Sequence, residues 1–464
     1  MAGIGFELRK LVETRTLRGV LGAAFSGTLV VAGPWLVSAA SVAAAQRLPF
    51  FTGPGVALEF TGAMVWAFAL SICLSAAPLY IFVRLTSDLI YENRKGEAAS
   101  LLLKFAAATA LASLPLGGAA AFVLCGGGAG AGLLRLAFVL LFAAANVLWA
   151  AMMTASVVRR HWRIILAYAT GMGLMYLLSR ELGPRLGAGG AMLALAAGYA
   201  FTALALLAAT VDALGLTASP RAFHRLAAYA RRYRNLALAG SLYAAATWID
   251  KAVLALGDPG SAAEGTRFFI TPSYDGAFYY ANLALIPGLV FFTISTETEF
   301  YLALRRFIGR LGGRRLPDIE EAKKELIRGP AGLLARQTGF QAIVAASLAL
   351  LAPLLSPLLG IEAPVFIRLL AATLFQLVFL SGLNLLFYLE LYRDAALCAG
   401  ILAGLNLVLS LAALASGNAL DLAGLPYLGA CATSALLVIL AGRRGLSRFD
   451  RIIFLRASGQ DYGI

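Results

Sequence analysis

Charge is scarce in this chain. Of its 464 residues only 13% are Asp, Glu, Lys or Arg, against roughly 25% in a soluble domain. Hydrophobic residues make up 60%, and the mean hydropathy is +0.82. One ordinary core cannot remove that much apolar surface from water, so a single soluble globular domain is excluded and the bilayer is the natural solvent. Cysteine is scarcer still. Cys73, Cys125, Cys398 and Cys431 all fall in or beside apolar segments, with no paired spacing for a metal and no disulfide framework. They read as small buried apolar residues. The two histidines, His161 and His224, lie in basic stretches and read as solvated.

Catalytic signatures are missing as well. The chain has no Walker A pattern, no HExxH, no CxxC and no DxD pair. "RLPD" at 315–318 fits an RxxD pattern of cyclic-dinucleotide sites, but four residues with two free positions recur by chance in a basic loop. The expectation is a conduit, not an enzyme, with no cofactor and no metal. A cleavable signal is also lacking. "MAGIGFELRKLVETRTLRGV" mixes charges among apolar residues, with Ile4, Leu8 and Leu11 on one helical face, as in a segment lying along a membrane surface.

What is present is a series of about twelve apolar runs near the ~20 residues a span requires: 19–44, 58–84, 102–125, 133–157, 162–181, 188–211, 235–256, 273–296, 338–358, 366–390, 395–415 and 424–442. With the N-terminus inside and sides alternating, 31 of the 38 Lys and Arg fall inside, six outside and Lys251 within a span. That asymmetry is the positive-inside signal; it places both termini in the cytoplasm. The net charge of +14 is therefore topology plus attraction to anionic lipid, and not a nucleic-acid footprint.

The expected fold is an all-α polytopic membrane protein, with twelve transmembrane helices in two six-helix lobes. Residues 1–18 form an amphipathic cytoplasmic segment, 19–211 the N-lobe, and 212–234 a basic cytoplasmic linker. Residues 235–442 form the C-lobe with a cytoplasmic loop at 300–337, and 443–464 a basic tail. Six spans per half give parallel repeats. Faint echoes join "ANVLWAAMMTASVVRR" to "LNLLFYLELYRD", each with an early Asn and a closing Arg. In the loop, "DIEEAKKELIRG" reads as a short amphipathic helix capped by Asp318, with a Glu320–Lys324 pair, offering a docking surface.

The sharpest anomaly is "TWIDKAVLAL" at 247–256, an apolar run carrying Asp250 and Lys251 side by side. An ionisable group at a helix centre costs roughly 2.5–3.5 kcal/mol on insertion scales. Asp250 is too short to snorkel, so it is expected to face a polar cavity or a partner on another helix. Lys251 either snorkels outward or joins the same path. The next span opens "TPSYDGAFYYANLALIPG", with Tyr274, Asp275, Tyr279, Tyr280 and Asn282. Its rings fit either an interfacial belt or the lining of a sugar path, where rings stack on pyranose faces. Pro287 and Gly33–Pro34 predict kinks. Arg84 and Asp88 share a helical face at an inner end; Glu297 and Glu299 sit at the corresponding end of the eighth span. They are either a charged inner gate or ordinary boundary charges.

Six stretches resemble the Pel exopolysaccharide transporter (PelG) family. They are "MAGIGFELRKL" at the start, "AGPW" at 32–35, "VRLTSDLIYE" at 83–92, "WIDK" at 248–251, "YDGAFYYANLALIPGL" at 274–289 and "STETEFYLALRRF" at 295–307. Through them Trp35 and Trp248 join the substrate-path candidates. The resemblance implies a multidrug/oligosaccharidyl-lipid/polysaccharide (MOP) flippase fold in a bacterial inner membrane. It implies export of an N-acetylated hexosamine polysaccharide through a cavity between two lobes. Its partners would be a cytosolic glycosyltransferase and a membrane subunit that senses cyclic di-GMP. Three rivals stand beside it: a lipid-linked oligosaccharide flippase, a cation-coupled antiporter, and a scaffold that only anchors a synthase.

Overall fold

The computed structural model describes residues 16–53, 55–127, 130–157, 161–217, 219–257, 265–311 and 315–457. The surface segment with Ile4, Leu8 and Leu11 lies outside the described residues, as do Arg159, Arg160 and residues 458–464. Among the described residues, apart from one short 3-10 turn and one π turn, the regular elements are α-helices. Among the described residues nine are long and apolar enough to cross a membrane, or ten if one sharply bent pair counts as a span. The chain is a multi-pass membrane protein.

Contacts divide it into two compact units. The N unit comprises residues 32–244 and 258–270; the C unit comprises 1–31, 245–257 and 271–464. Helix α1 (Leu17–Ala45) contains Pro34. Proline removes the donor to the carbonyl four residues earlier, and the helix bends by 66° between Gly22–Leu29 and Val31–Ala45. α2 (Val56–Tyr91), α3 (Lys95–Leu124) and α4 (Ala131–Val157) follow.

α5 (His161–Leu214) has 54 residues. Straight, it would run about 80 Å, against about 30 Å of hydrocarbon. It is instead a hairpin: Gly187 takes φ 60 and ψ −144, a region essentially restricted to glycine. Thr202 Oγ1 on the returning arm donates to Ala167 O at 3.4 Å. A Cβ on Gly171 would collide with Thr202 Oγ1 and stand 2.6 Å from Gly198 O. Small residues let the arms approach this closely. The expected spans 162–181 and 188–211 are these two arms.

The stretch read as a linker at 212–234 is built into the N unit. Within it α6 (Pro220–Arg232) turns Phe223, Leu226 and Tyr229 onto the unit's core. The strap is tied down at its N-terminal end. Thr217 N–H donates to Gly96 O, Lys104 Nζ to Ser219 O at 2.7 Å and Ser219 Oγ to Glu97 at 3.0 Å. Segment 265–270 packs into the same unit, with Phe268 fully buried against Gly62, whose added Cβ would sit 2.6 Å from the Phe268 Cβ.

The expected span 235–256 is split between α7 (Arg234–Ala246), which belongs to the N unit up to residue 244, and α8 (Ile249–Gly257) of the C unit. The next stretch is also interrupted: α9 (Pro272–Leu283), α10 (Ile286–Phe291), a π turn Phe292–Thr296 and α11 (Glu297–Leu311). The helix expected only over "DIEEAKKELIRG" runs on as α12 (Leu316–Leu359), 44 residues long. That is about 66 Å, twice the hydrocarbon thickness. The 300–337 loop is thus largely the ends of α11 and α12, joined by Arg306–Glu325 at 3.3 Å and Arg310–Glu321 at 3.8 Å. α13 (Ala363–Tyr388), α14 (Tyr392–Ala415), α15 (Leu425–Ser447) and α16 (Phe449–Ala457) complete the unit.

Candidate functional site: broken helices held by buried amides

A polar side chain buried among apolar helices must find a partner or bear a desolvation cost. The C unit concentrates such groups where its helices break. The interruption after Ala246 leaves that carbonyl without a continuing helix. Asn406 of α14 supplies the donor, Nδ2 to Ala246 O at 2.8 Å, and its own Oδ1 accepts from Ser410 Oγ at 3.3 Å. Asp250 follows in the first turn of α8, where the helix dipole favours an acid. It is 2% exposed. Tyr274 of α9 donates its hydroxyl to Asp250 Oδ2, and Asn406 Nδ2 lies 3.4 Å from Oδ1. Asp250 therefore has partners on two other helices.

Lys251 points about 100° further round the helix. Its ammonium sits 3.8 Å from Asp275 Oδ1, 4.5 Å from the Trp248 ring centroid and 4.0 Å from that of Phe278. A cation over aromatic faces beside a carboxylate is held in place, so Lys251 is turned into the unit. Asp275 in turn accepts the Thr271 N–H at 3.2 Å.

The other path candidates divide. Tyr274 is fully buried, whereas Tyr279 and Tyr280 are half-buried with rings 5.3 Å apart edge to face. Asn282 donates into its own helix, to Phe278 O at 2.9 Å. Trp35, on α1 in the N unit, is 37% exposed.

The second interruption repeats the pattern. Two glutamines one turn apart on α12 are fully buried. Gln341 Nε2 donates to Ala284 O at 2.9 Å, in the gap between α9 and α10. Gln337 accepts from Thr296 Oγ1 at 3.2 Å, at the π turn, and donates to Ser381 Oγ at 2.9 Å. Gly288 clears the space, since a Cβ there would stand 2.5 Å from Gln341 Oε1. Beside this network lies a cavity of about 740 Å³, walled by Phe292, Phe300, Leu334, Phe375, Leu436 and their neighbours, with Arg443 on its edge.

The N unit carries a buried polar centre of its own. Ser71 Oγ donates to Asn146 Oδ1 at 2.8 Å, Asn146 Nδ2 to Ser113 Oγ at 2.9 Å, and Trp149 Nε1 to Ser71 Oγ at 2.9 Å. Of the gate candidates, Arg84 and Asp88 pair within this unit at 3.6 Å. Asp88 accepts from the Tyr229 hydroxyl at 3.1 Å, and the Arg84 guanidinium lies 5.1 Å from the Tyr233 ring centroid. Burial, and then the Asp88 carboxylate, raise the Tyr229 phenol above its ordinary value. Glu299 lines a charged groove with Arg306, Lys324 and Arg328. The Glu297 side chain lies outside the described residues.

Asn406, Gln337, Gln341 and the Ser71–Asn146–Ser113 set were missed as site residues in the sequence. Asn146 stood out only as an echo, and single uncharged amides in apolar runs give little signal beyond their isolation.

These broken helices sit in a known architecture. A structure of MATE in complex with MaL6 matches with a TM-score of 0.60 at 16% identity, over 92% of this chain and 97% of that one. The outward-facing conformation of a multidrug resistance MATE family transporter of the MOP superfamily gives 0.60 at 15% identity, over 92% and 96%. A MOP superfamily transporter from Pyrococcus furiosus Vc1, described as having a binding pocket of reversed polarity, gives 0.54 at 16% identity, over 91% and 96%. At such identities the likeness is one of fold, and the fold is MATE-like. No curated protein matches the chain. The family model of PelG, described as "Putative exopolysaccharide Exporter (EPS-E)", matches residues 1–454. The chain belongs to the PelG family of exopolysaccharide exporters.

Proposed function

We propose that this chain exports a nascent N-acetylhexosamine polysaccharide of the Pel type across the bacterial inner membrane. The observation that carries the reading is the pair of interrupted helices around Asp250 and Gln341, found in a chain of an exopolysaccharide exporter family. Discontinuous helices at membrane depth mark the substrate and ion sites of many secondary transporters; here Asn406 and Gln341 hold the freed carbonyls and keep both breaks in place. In this reading twelve crossings form two six-helix lobes, with both termini cytoplasmic. In it the crossings lie within 19–211 and 235–442, flanked by cytoplasmic segments at 1–18 and 443–464, and 212–234 is a cytoplasmic strap on the N unit. The glycan enters from a cytosolic glycosyltransferase, helped by a subunit that senses cyclic di-GMP. It passes between the lobes along half-buried aromatic groups such as Tyr279, Tyr280 and Trp35. Arg84, Asp88, Glu297 and Glu299 guard the inner side. Growth of the polymer is the simplest driver of a continuous extrusion.

Asp250 favours a second reading, a cation-coupled antiporter, because a buried carboxylate with hydroxyl and amide neighbours is a group that can exchange a cation. The test is to delete the chain in cells that make the glycan, then restore it. Export predicts that secreted glycan disappears and returns while synthase activity in membranes persists. An antiporter predicts that purified chain in vesicles drives drug efflux under a cation gradient with no synthase present. A scaffold for the synthase predicts loss of synthase activity together with secretion.

A further inference from the structure

The cavity of about 740 Å³ in the C unit lies apart from the Asp250 cluster, and its walls are unlike those of a sugar site. Its volume is in the range of small-molecule pockets. Its bulk is apolar, from Phe292, Phe300, Phe375, Leu334, Val378 and Leu436. Four polar side chains on its wall direct their hydrogen bonds elsewhere. Thr296 donates to Gln337, Thr338 to Leu334 O at 2.7 Å, Ser381 to Leu377 O at 2.9 Å and Asn384 Nδ2 to Leu380 O at 3.1 Å. A glycan entering here would exchange water for hydroxyls and carbonyls already in use, which is unfavourable. Arg443 differs. It is exposed in the last turns of α15, with Arg444 beside it, and makes no ion pair or hydrogen bond among the described residues. Leu436, two turns back on the same helix and 58% exposed, forms part of the wall and also faces outward, toward where lipid would stand.

An apolar slot with one unpaired cation at its end recognises an amphiphile with an anionic head. We propose that this cavity binds one anionic phospholipid, with an acyl chain between α12, α13 and α15 and its headgroup on Arg443. The inference rests on the membrane orientation proposed above, which puts Arg443 at the inner leaflet, where anionic headgroups attract basic residues near a helix end.

The test is native mass spectrometry of the purified full chain in detergent. It is titrated with phosphatidylglycerol or with phosphatidylcholine of the same acyl chains. One phosphatidylglycerol is expected to be retained, roughly fivefold more tightly than phosphatidylcholine, the worth of one headgroup–arginine contact. Arg443→Gln should abolish that preference. Ala335→Trp, which fills the cavity from its exposed wall, should abolish the tight adduct; Ala331→Trp, on the same wall, repeats the test should the first variant not fold. Equal retention of the two lipids, or a phosphatidylglycerol adduct unchanged in the variants, would mean loosely bound surrounding lipid and would overturn the proposal. Binding is read without transport, so a negative result here leaves the export reading standing, and failed export leaves this result interpretable.

Discussion

Asn406 donates its amide to the Ala246 carbonyl at 2.8 Å across 160 residues of sequence. The contact closes the one gap in the α7–α8 stretch and leaves the same amide beside Asp250. Removing it strands a buried carbonyl and a carboxylate oxygen together. Asn406→Leu is therefore expected to destabilise the C unit by about 1–2 kcal/mol, the range for buried hydrogen bonds within membranes and for unsatisfied acceptors. Thermal unfolding of the purified chain in detergent measures it. An unchanged midpoint would mean that water or a shifted backbone replaces the amide.

The Lys251–Asp275 pair invites a double-mutant cycle. Each side chain is little exposed, 14% and 21%, so removing one leaves the other charge poorly solvated. Lys251→Met and Asp275→Leu should each destabilise by about 1–3 kcal/mol, while the double variant recovers much of that loss, because an apolar pair can replace a buried ion pair. Additive losses in unfolding midpoint would show that the two charges do not interact.

The α5 hairpin turns at a position that suits only glycine. Gly187→Ala should cost about 1–3 kcal/mol through its positive φ and extended ψ. Backbone strain is the whole of that cost, since nothing lies within 4 Å of an added Cβ there. Gly171→Leu acts differently, by pushing the arms apart against Thr202 and Gly198. Substituting each glycine with alanine and then leucine, read as membrane level and unfolding temperature, separates the two causes. Strain at 187 should be nearly independent of side-chain size beyond alanine, and the clash at 171 should grow with it.

Much of this architecture was legible because lipid imposes a simple rule on composition. Runs such as 366–390 and 395–415 correspond closely to α13 and α14, and the Gly–Pro-rich turn near 183–190 separates the arms of α5. Pro34 and Pro287 marked real interruptions, since proline removes a donor wherever it stands. The break at 247–248 was not legible. It contains neither glycine nor proline, and Asn406, whose amide meets the freed Ala246 carbonyl, comes from another helix far along the chain. Asp250 was visible because a charge in an apolar run is costly; its partners were not, because an isolated Asn or Tyr in a span is common. Arg84 and Asp88 were found by their i,i+4 spacing, but Tyr229, which binds the same carboxylate, sits in a stretch that read only as a basic linker. The 44-residue α12 was read as separate pieces because its first turns are charged and its last apolar.

The central claim is that the Asp250 cluster serves the export of polysaccharide. Asp250→Asn keeps the shape and one acceptor for Tyr274 while removing the charge. The decisive measurement is secreted glycan from cells carrying that variant, with membrane level and capture of the glycosyltransferase confirmed as normal. The account predicts that secretion falls at least about tenfold, a change of about 1.4 kcal/mol or more in the limiting step, with the complex intact. Unchanged secretion would make Asp250 a structural charge holding α8 to α9 and α14, and would contradict the claim.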